Sequence, residues 1–317
     1  MMNTIISQIK KAKRAALFTH ITPDGDAIGS VFALSCLLES IGIQNDVYIN
    51  EKIPERLMFL VDYGKKEYLT EYENKDYDLM IALDCGDLHR LGDFTQFFGE
   101  FENTVVIDHH VSNPGYGKYN YIELHGSSTG EIIYRFATQG DFELSSDVAS
   151  LIYAAIVSDT GCFKYSSVTP QTLVSASVLL EKGADHVKIC KKLFDTEDIK
   201  TLKLKAMATD SMKLFHNGKV AIVMVTKQQL ESAGAVYEDA EGLIEIPRSV
   251  SGVEVGIVIK EWKDKTKASI RTNEYVDASY LASLYGGGGH VRAAGLVSDM
   301  SVTKLCDDLV EKLKEFL

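Results

Sequence analysis

The sequence predicts a two-domain α/β protein whose first domain is built on a parallel sheet. Three observations predict it. Runs at 15–19, 79–83 and 104–107 are short and almost wholly apolar, as strands covered on both faces must be. Helical stretches alternate with strands through the first 190 residues. The chain has 317 residues, about twice the length of an ordinary domain.

Taken in order, strand 15–19 runs into a turn at 21–25 and then a helix at 27–40 that Gly42 ends. A second strand covers 46–49, and strands 79–83 and 104–107 follow. Helices are expected at 129–138, 147–157 and 170–182. The last has the clearest limits, with Thr169 as N-cap, Pro170 at the first helical position and Gly183 just past the end. Ser128 and Glu131 have the spacing of a capping box. The stretch 186–216 is charged and contains neither Gly nor Pro up to Phe215, so it reads as a helical connector. A smaller α/β unit opens near Asn217-Gly218, with strand 220–225, helix 228–232, strands 253–261 and 267–272, and helix 278–284. The glycine run before His290 and a final helix at 302–316 complete it. The expected domains are 1–190 and 216–317, joined by a connector at 191–215.

Composition narrows the function. With 45% apolar and 25% charged residues the chain is ordinarily globular, and disorder is excluded. No apolar run reaches the roughly 18–20 residues of a membrane helix, and no signal-peptide pattern is present, so a cytoplasmic protein without membrane contact is expected. Five widely spaced Cys with no C-x-x-C argue against a disulfide framework or a zinc knuckle. A net charge of −12 argues against a basic face that coats long duplex nucleic acid, but not against a small anion in a local pocket.

Four segments carry Asp or His where a strand ends or a helix begins or ends. FTHITPDGDAIGS supplies His20, Asp24 and Asp26; MIALDCGD supplies Asp84; VVIDHHVSNP supplies Asp108, His109 and His110; AAIVSDTGCF supplies Asp159. Ligands of open parallel sheets bind in the crevice at the carboxyl ends of the strands, where three of these segments should converge. The fourth has to be brought in by its helix. Converging carboxylates either protonate or recruit cations. Imidazole and carboxylate without thiolate suit Mn²⁺ or another first-row divalent ion, and about six ligands suit two ions sharing a carboxylate. Asp108 reads as an acceptor that orients an imidazole.

At these residues the sequence strongly resembles the DHH phosphoesterase family, whose motif here is Asp108-His109-His110. H-x-x-x-D-x-D, the Asp84 strand, DHH and Asp159 occur in family order, and GGGGH at 286–290 resembles the signature of the DHH-associated domain. The resemblance implies two Mn²⁺ per site, with Mg²⁺ or Co²⁺ as substitutes. One is held by His20, Asp24 and Asp84, the other by Asp26, Asp84, His109 and Asp159, and His110 contacts phosphate. Asp84, Asp108 and His110 are the candidate catalytic residues. The two-domain layout is most similar to the nanoRNase group. That similarity implies an exonuclease that degrades very short RNA to 5′-mononucleotides and dephosphorylates 3′-phosphoadenosine 5′-phosphate. A pApA or cyclic-dinucleotide phosphodiesterase and a non-catalytic nucleotide-binding module are the alternatives, and a homodimer is left open.

Consecutive glycines leave backbone N–H groups unshielded, so Gly288, Gly289 and His290 read as a phosphate contact. Arg271 ends strand KASIRT, where a bidentate phosphate contact and a plain surface position fit equally. Such a grip on the terminal phosphate would act as a ruler for two to five nucleotides lying in an interdomain cleft. Arg90, in GDLHRLG after Asp84, is near enough in sequence to serve the substrate or the structure of the site.

Overall fold

The computed structural model describes residues 2–317, except the side chains of Glu238, Glu241 and His290. It divides into two compact units, 1–196 and 197–317.

The first unit begins with helix α1 (Met2–Ile9), whose Met2, Ile5, Ile6 and Ile9 are buried. Strand β1 (Arg14–Phe18), helix α2 (Gly25–Ser40) and strand β2 (Gln44–Tyr48) follow. Helix α3 (Met58–Gly64) leads to β3 (Tyr68–Leu69) and β4 (Leu79–Leu83). Helix α4 (Thr95–Glu100) leads to β5 (Thr104–Asp108) and β6 (Tyr119–Ile122). Four helices close the unit: α5 (Thr129–Gln139), α6 (Ser146–Asp159), α7 (Pro170–Glu181) and α8 (His186–Phe194).

The sheet order is β3-β2-β1-β4-β5-β6, with every pairing parallel. The apolar runs of the central strands are explained by two covered faces. Leu17, Ile81 and Ile107 pack with the helices of one face, whereas Phe18, Met80 and Val106 pack with Phe94 and Phe98 on the other. The chain winds outward from β1 and β4 in opposite directions, which makes the carboxyl ends of this pair the switch point where such sheets bind ligands. Helix α2 packs closely on α6. A Cβ on Gly29 would stand 2.6 Å from the Leu151 carbonyl oxygen, and one on Gly130 of α5 would stand 2.3 Å from Ala155 Cβ.

Several expectations shift. The helix expected from 27 starts at Gly25, because Asp24 caps it. The expected strand 46–49 is β2, two residues earlier at its start. The stretch 186–216 is not one helical connector: α8 ends at Phe194, a second helix covers Ile199–Asp210 and a strand takes up Lys213–Phe215.

The second unit holds α9 (Ile199–Asp210), β7 (Lys213–Phe215), β8 (Val220–Val225), α10 (Lys227–Ala233) and the short α11 (Glu245–Arg248). Strands β9 (Val255–Trp262) and β10 (Lys265–Thr272) form a hairpin. Helix α12 (Ala278–Ser283), β11 (Gly288–His290), β12 (Ala293–Ser298) and α13 (Val302–Lys312) complete it. The sheet order is β11-β12-β10-β9-β8-β7, with β8 and β9 parallel and the other pairs antiparallel. Part of the glycine run is thus an edge strand. Gly289, at φ +150°, lies so close to β12 that a Cβ would stand 2.4 Å from the Ala293 carbonyl oxygen. Among the described residues no helix is long and apolar enough to cross a membrane.

Candidate metal centre

The groups at the end of β1 are set by a helix cap. Asp24 Oδ1 accepts the N–H groups of Asp26 (3.0 Å) and Ala27 (3.1 Å), so the first turn of α2 is capped and Asp26 is carried inward. Buried Asp26 then receives the N-terminus of α5. Its Oδ2 accepts from Thr129 N (2.8 Å), and its Oδ1 accepts from Gly130 N (2.9 Å) and Ser30 Oγ (3.0 Å). The His20 Nδ1 lies 2.7 Å from the Ile21 carbonyl oxygen. The same nitrogen lies 3.1 Å from Arg90 Nη2, and the Nε2 atom faces Asp84 Oδ2 at 3.6 Å.

Asp84 follows β4 directly, in the left-handed region at φ +53°. This conformation is costly for a residue with a side chain, and here it sits at the switch point. Its Oδ1 accepts from Thr129 Oγ1 (3.0 Å). The His109 Nδ1 donates to the Gly126 carbonyl (3.3 Å). His109 Nε2 therefore turns its lone pair toward Asp159 Oδ2 (3.5 Å), Asp84 Oδ1 (3.6 Å) and Asp26 Oδ2 (3.9 Å). Asp159 arrives as the last residue of α6. The His110 Nδ1 donates to Asp108 Oδ1 at 2.7 Å, and the other oxygen of fully buried Asp108 accepts from Asn113 Nδ2 at 2.6 Å.

Three overlapping groups can hold a cation: His20 with Asp24 and Asp84, Asp26 with His109 and Asp159, and Asp84 with both His109 and His110. In each group the candidate ligand atoms lie within 4.8 Å of one another. Lone pairs that face one another in a buried site call for positive charge between them, and this nitrogen and oxygen donor set suits a first-row divalent ion.

Residues 14–156 match the DHH family, N-terminal domain, and residues 217–317 match the DHHA1 domain. The chain thus carries a DHH N-terminal domain and a DHHA1 domain. It is similar to the probable bifunctional oligoribonuclease and PAP phosphatase NrnA of Streptococcus mutans, 28% identical over 99% of this chain and 98% of that protein. It is also 28% identical to the bifunctional oligoribonuclease and PAP phosphatase NrnA of Bacillus subtilis, over 93% of this chain and 92% of that one. Among solved structures, an exopolyphosphatase-related protein from Bacteroides fragilis superposes with a TM-score of 0.93 at 25% identity. That match covers 99% of this chain and 96% of the other.

Charge in the DHH centre is divided unevenly. Burial, followed by Asp84, Asp159 and Asp24, pushes the Asp26 carboxyl well above its usual range. Burial also raises Asp159, to about 6, against the opposing pull of His109. At Asp84 burial acts upward too, but His20, His109 and His110 outweigh it and the carboxyl is lowered. The His20 pKa is raised because Asp84 more than offsets burial. The Asp108 hydrogen bond raises His110 to about 9, so this imidazole is a cation at neutral pH.

The remaining expected residues fall in two places. Arg90 lies at the edge of the DHH centre, its Nη2 3.1 Å from His20 Nδ1 and its carbonyl accepting from Ile21 N at 2.8 Å. Arg271 ends β10, and Gly288, Gly289 and the backbone of His290 form β11, all within the second unit. The side chain of His290 lies outside the described residues. Sequence reasoning missed Gly126, Thr129, Gly130 and Asn113, each of which bonds a member of the centre. It also misread Glu131. Ser128 does cap α5 by accepting Glu131 N at 3.1 Å, but the Glu131 carboxylate turns to Ser127 and Thr172 and leaves the capping box half made.

Proposed function

We propose that this chain is a cytoplasmic, manganese-dependent phosphoesterase. It trims RNA of two to five nucleotides to 5′-mononucleotides and removes the 3′-phosphate of 3′-phosphoadenosine 5′-phosphate. One observation carries the reading: a single imidazole nitrogen, His109 Nε2, faces carboxylate oxygens from three separate elements within 3.9 Å. The names of the NrnA relatives supply the substrate class.

When bound, a pair of divalent ions at such a centre supplies a nucleophile from water at neutral pH and neutralises phosphoryl charge. His20, Asp24 and Asp84 would hold one ion, and Asp26, Asp84, His109 and Asp159 the other. The Gly126 carbonyl keeps the His109 imidazole in the tautomer that leaves Nε2 as the ligand atom. His110, with Nδ1–H given to Asp108, turns its second N–H to a phosphate oxygen, and its positive charge strengthens that bond. Arg90 adds a guanidinium beside the same phosphate. In this reading Arg271, Gly288, Gly289 and His290 hold the terminal phosphate of the substrate.

The test is a product-resolved digestion with Mn²⁺, Mg²⁺ or Co²⁺ present. The panel is a 5′-labelled trinucleotide, a longer RNA, pApA and 3′-phosphoadenosine 5′-phosphate. The expected products are mononucleotides from the trinucleotide and AMP from 3′-phosphoadenosine 5′-phosphate, fastest with Mn²⁺. Binding of both without product would make the protein a nucleotide-binding module instead.

A further inference from the structure

Segment 126–130 touches three members of the metal centre. The Gly126 carbonyl accepts from His109, the N–H groups of Thr129 and Gly130 donate to Asp26, and the Thr129 hydroxyl donates to Asp84. Glu131 ties the same segment to α7 as well. Its carboxylate, 2% exposed, accepts from Ser127 N (3.2 Å) and the Ser127 hydroxyl. It also accepts from Thr172 Oγ1 of α7 (3.0 Å) and from Arg135 Nη1 (3.0 Å). Thr172 is held in turn by the cap of its own helix, 3.0 Å from Thr169 Oγ1. The carboxylate thus joins the segment before α5, α5 itself and α7 at one point.

A buried carboxylate is costly unless it is paired and fully hydrogen-bonded. Capping does not account for this one, because Ser128 caps α5 through the Glu131 backbone. We propose that Glu131 is a positioning residue for the metal centre. It holds segment 126–130 where Gly126 aims His109 Nε2, and Thr129 and Gly130 aim the oxygens of Asp26, at the cation shared with Asp159. The inference rests on the proposed function, since only a centre that takes up cations uses this alignment. The segment contacts Asp26 and His109 directly and reaches the group of His20 and Asp24 only through Asp84, so the larger effect falls on the ion of Asp26, His109 and Asp159. Groups that orient metal ligands typically change affinity by about 10–100-fold when removed.

The test is a Mn²⁺ titration of the full chain, followed by calorimetry and by the electron paramagnetic resonance signal of the coupled pair. The wild type, Glu131→Gln and Thr172→Val are compared. The wild type should bind two Mn²⁺. Glu131→Gln keeps the shape but loses the charge and half the acceptor capacity. It should bind one Mn²⁺ about 10–100-fold more weakly and the other with a smaller change. Its coupled signal should vanish at limiting Mn²⁺, and excess Mn²⁺ should restore kcat with KM for 3′-phosphoadenosine 5′-phosphate within about twofold of wild type. Thr172→Val removes one donor to Glu131, together with the acceptor that closes the α7 cap, and should give a smaller shift of the same kind, which keeps the test alive if Glu131→Gln does not fold. Normal binding of both ions by both variants, or lost activity that Mn²⁺ does not restore, overturns the positioning role and leaves the proposed function standing. A wild type that binds no Mn²⁺ overturns both.

Discussion

Replacing Asp108 by Asn isolates the part of the centre that sets charge at His110. In the native protein Asp108 Oδ1 takes the His110 Nδ1 proton and Oδ2 takes the Asn113 amide. In Asp108→Asn the Asn113 amide claims the one remaining oxygen. The new NH₂ then faces His110 Nδ1, which must accept and therefore be neutral. His110 should fall from about 9 to its ordinary 6.5 or below, because burial already favours the neutral ring. At about 1.4 kcal/mol per tenfold change, that range corresponds to roughly 3 kcal/mol. Asp84 supplies part of the upward shift, so the share of Asp108 is about 2–3 kcal/mol. A histidine whose folded pKa is raised adds stability that is fully present below its unfolded pKa and is lost as pH rises through the folded value. Wild-type protein stripped of metal should lose this contribution between about pH 6.5 and pH 9. Asp108→Asn should lose little over the same window. Urea unfolding at several pH values, with NMR titration of the His110 ring, measures both. Equal pH slopes in the two proteins, or a wild-type ring that titrates near 6.5, would refute the reasoning.

Three further outcomes are expected. Asp84→Asn keeps a residue tolerant of the left-handed backbone but removes the charge shared by all the facing imidazoles. Turnover should drop at least about 10³-fold while the unfolding temperature stays within a few degrees, and unchanged Mn²⁺-dependent hydrolysis would contradict the metal assignment. Gly130→Ala drives a methyl to 2.3 Å from Ala155 Cβ, so it should cost about 1–3 kcal/mol in urea unfolding. His290→Ala should weaken trinucleotide binding more than cleavage of a small chromogenic phosphodiester, and equal losses on both would remove His290 from the phosphate grip.

The sequence made some features legible and hid others for physical reasons. The central strands β1, β4 and β5 were readable because burial on both faces leaves an uninterrupted apolar run. Strands β3 and β6 were not, since each lies at an edge and is only half buried. His20, Asp24, Asp26, Asp84, His109 and Asp159 stood out only together, as four segments in family order, since Asp at a helix or strand end alone fits a cap or a turn. Their hydrogen-bonding partners did not. The bond from Gly130 to Asp26 spans 104 positions and asks only for a backbone N–H, which any residue but proline supplies. Glu131 shows how a local pattern misleads: its spacing from Ser128 fits a cap, and only the nearness of Thr172 in space redirects the side chain.

The opposed winding of the chain from β1 and β4 has a consequence for biosynthesis. His20, Asp24 and Asp84 leave the ribosome first, whereas the group of Asp26, His109 and Asp159 closes only once α6 has been made and docked. The two cation groups are thus completed in chain order.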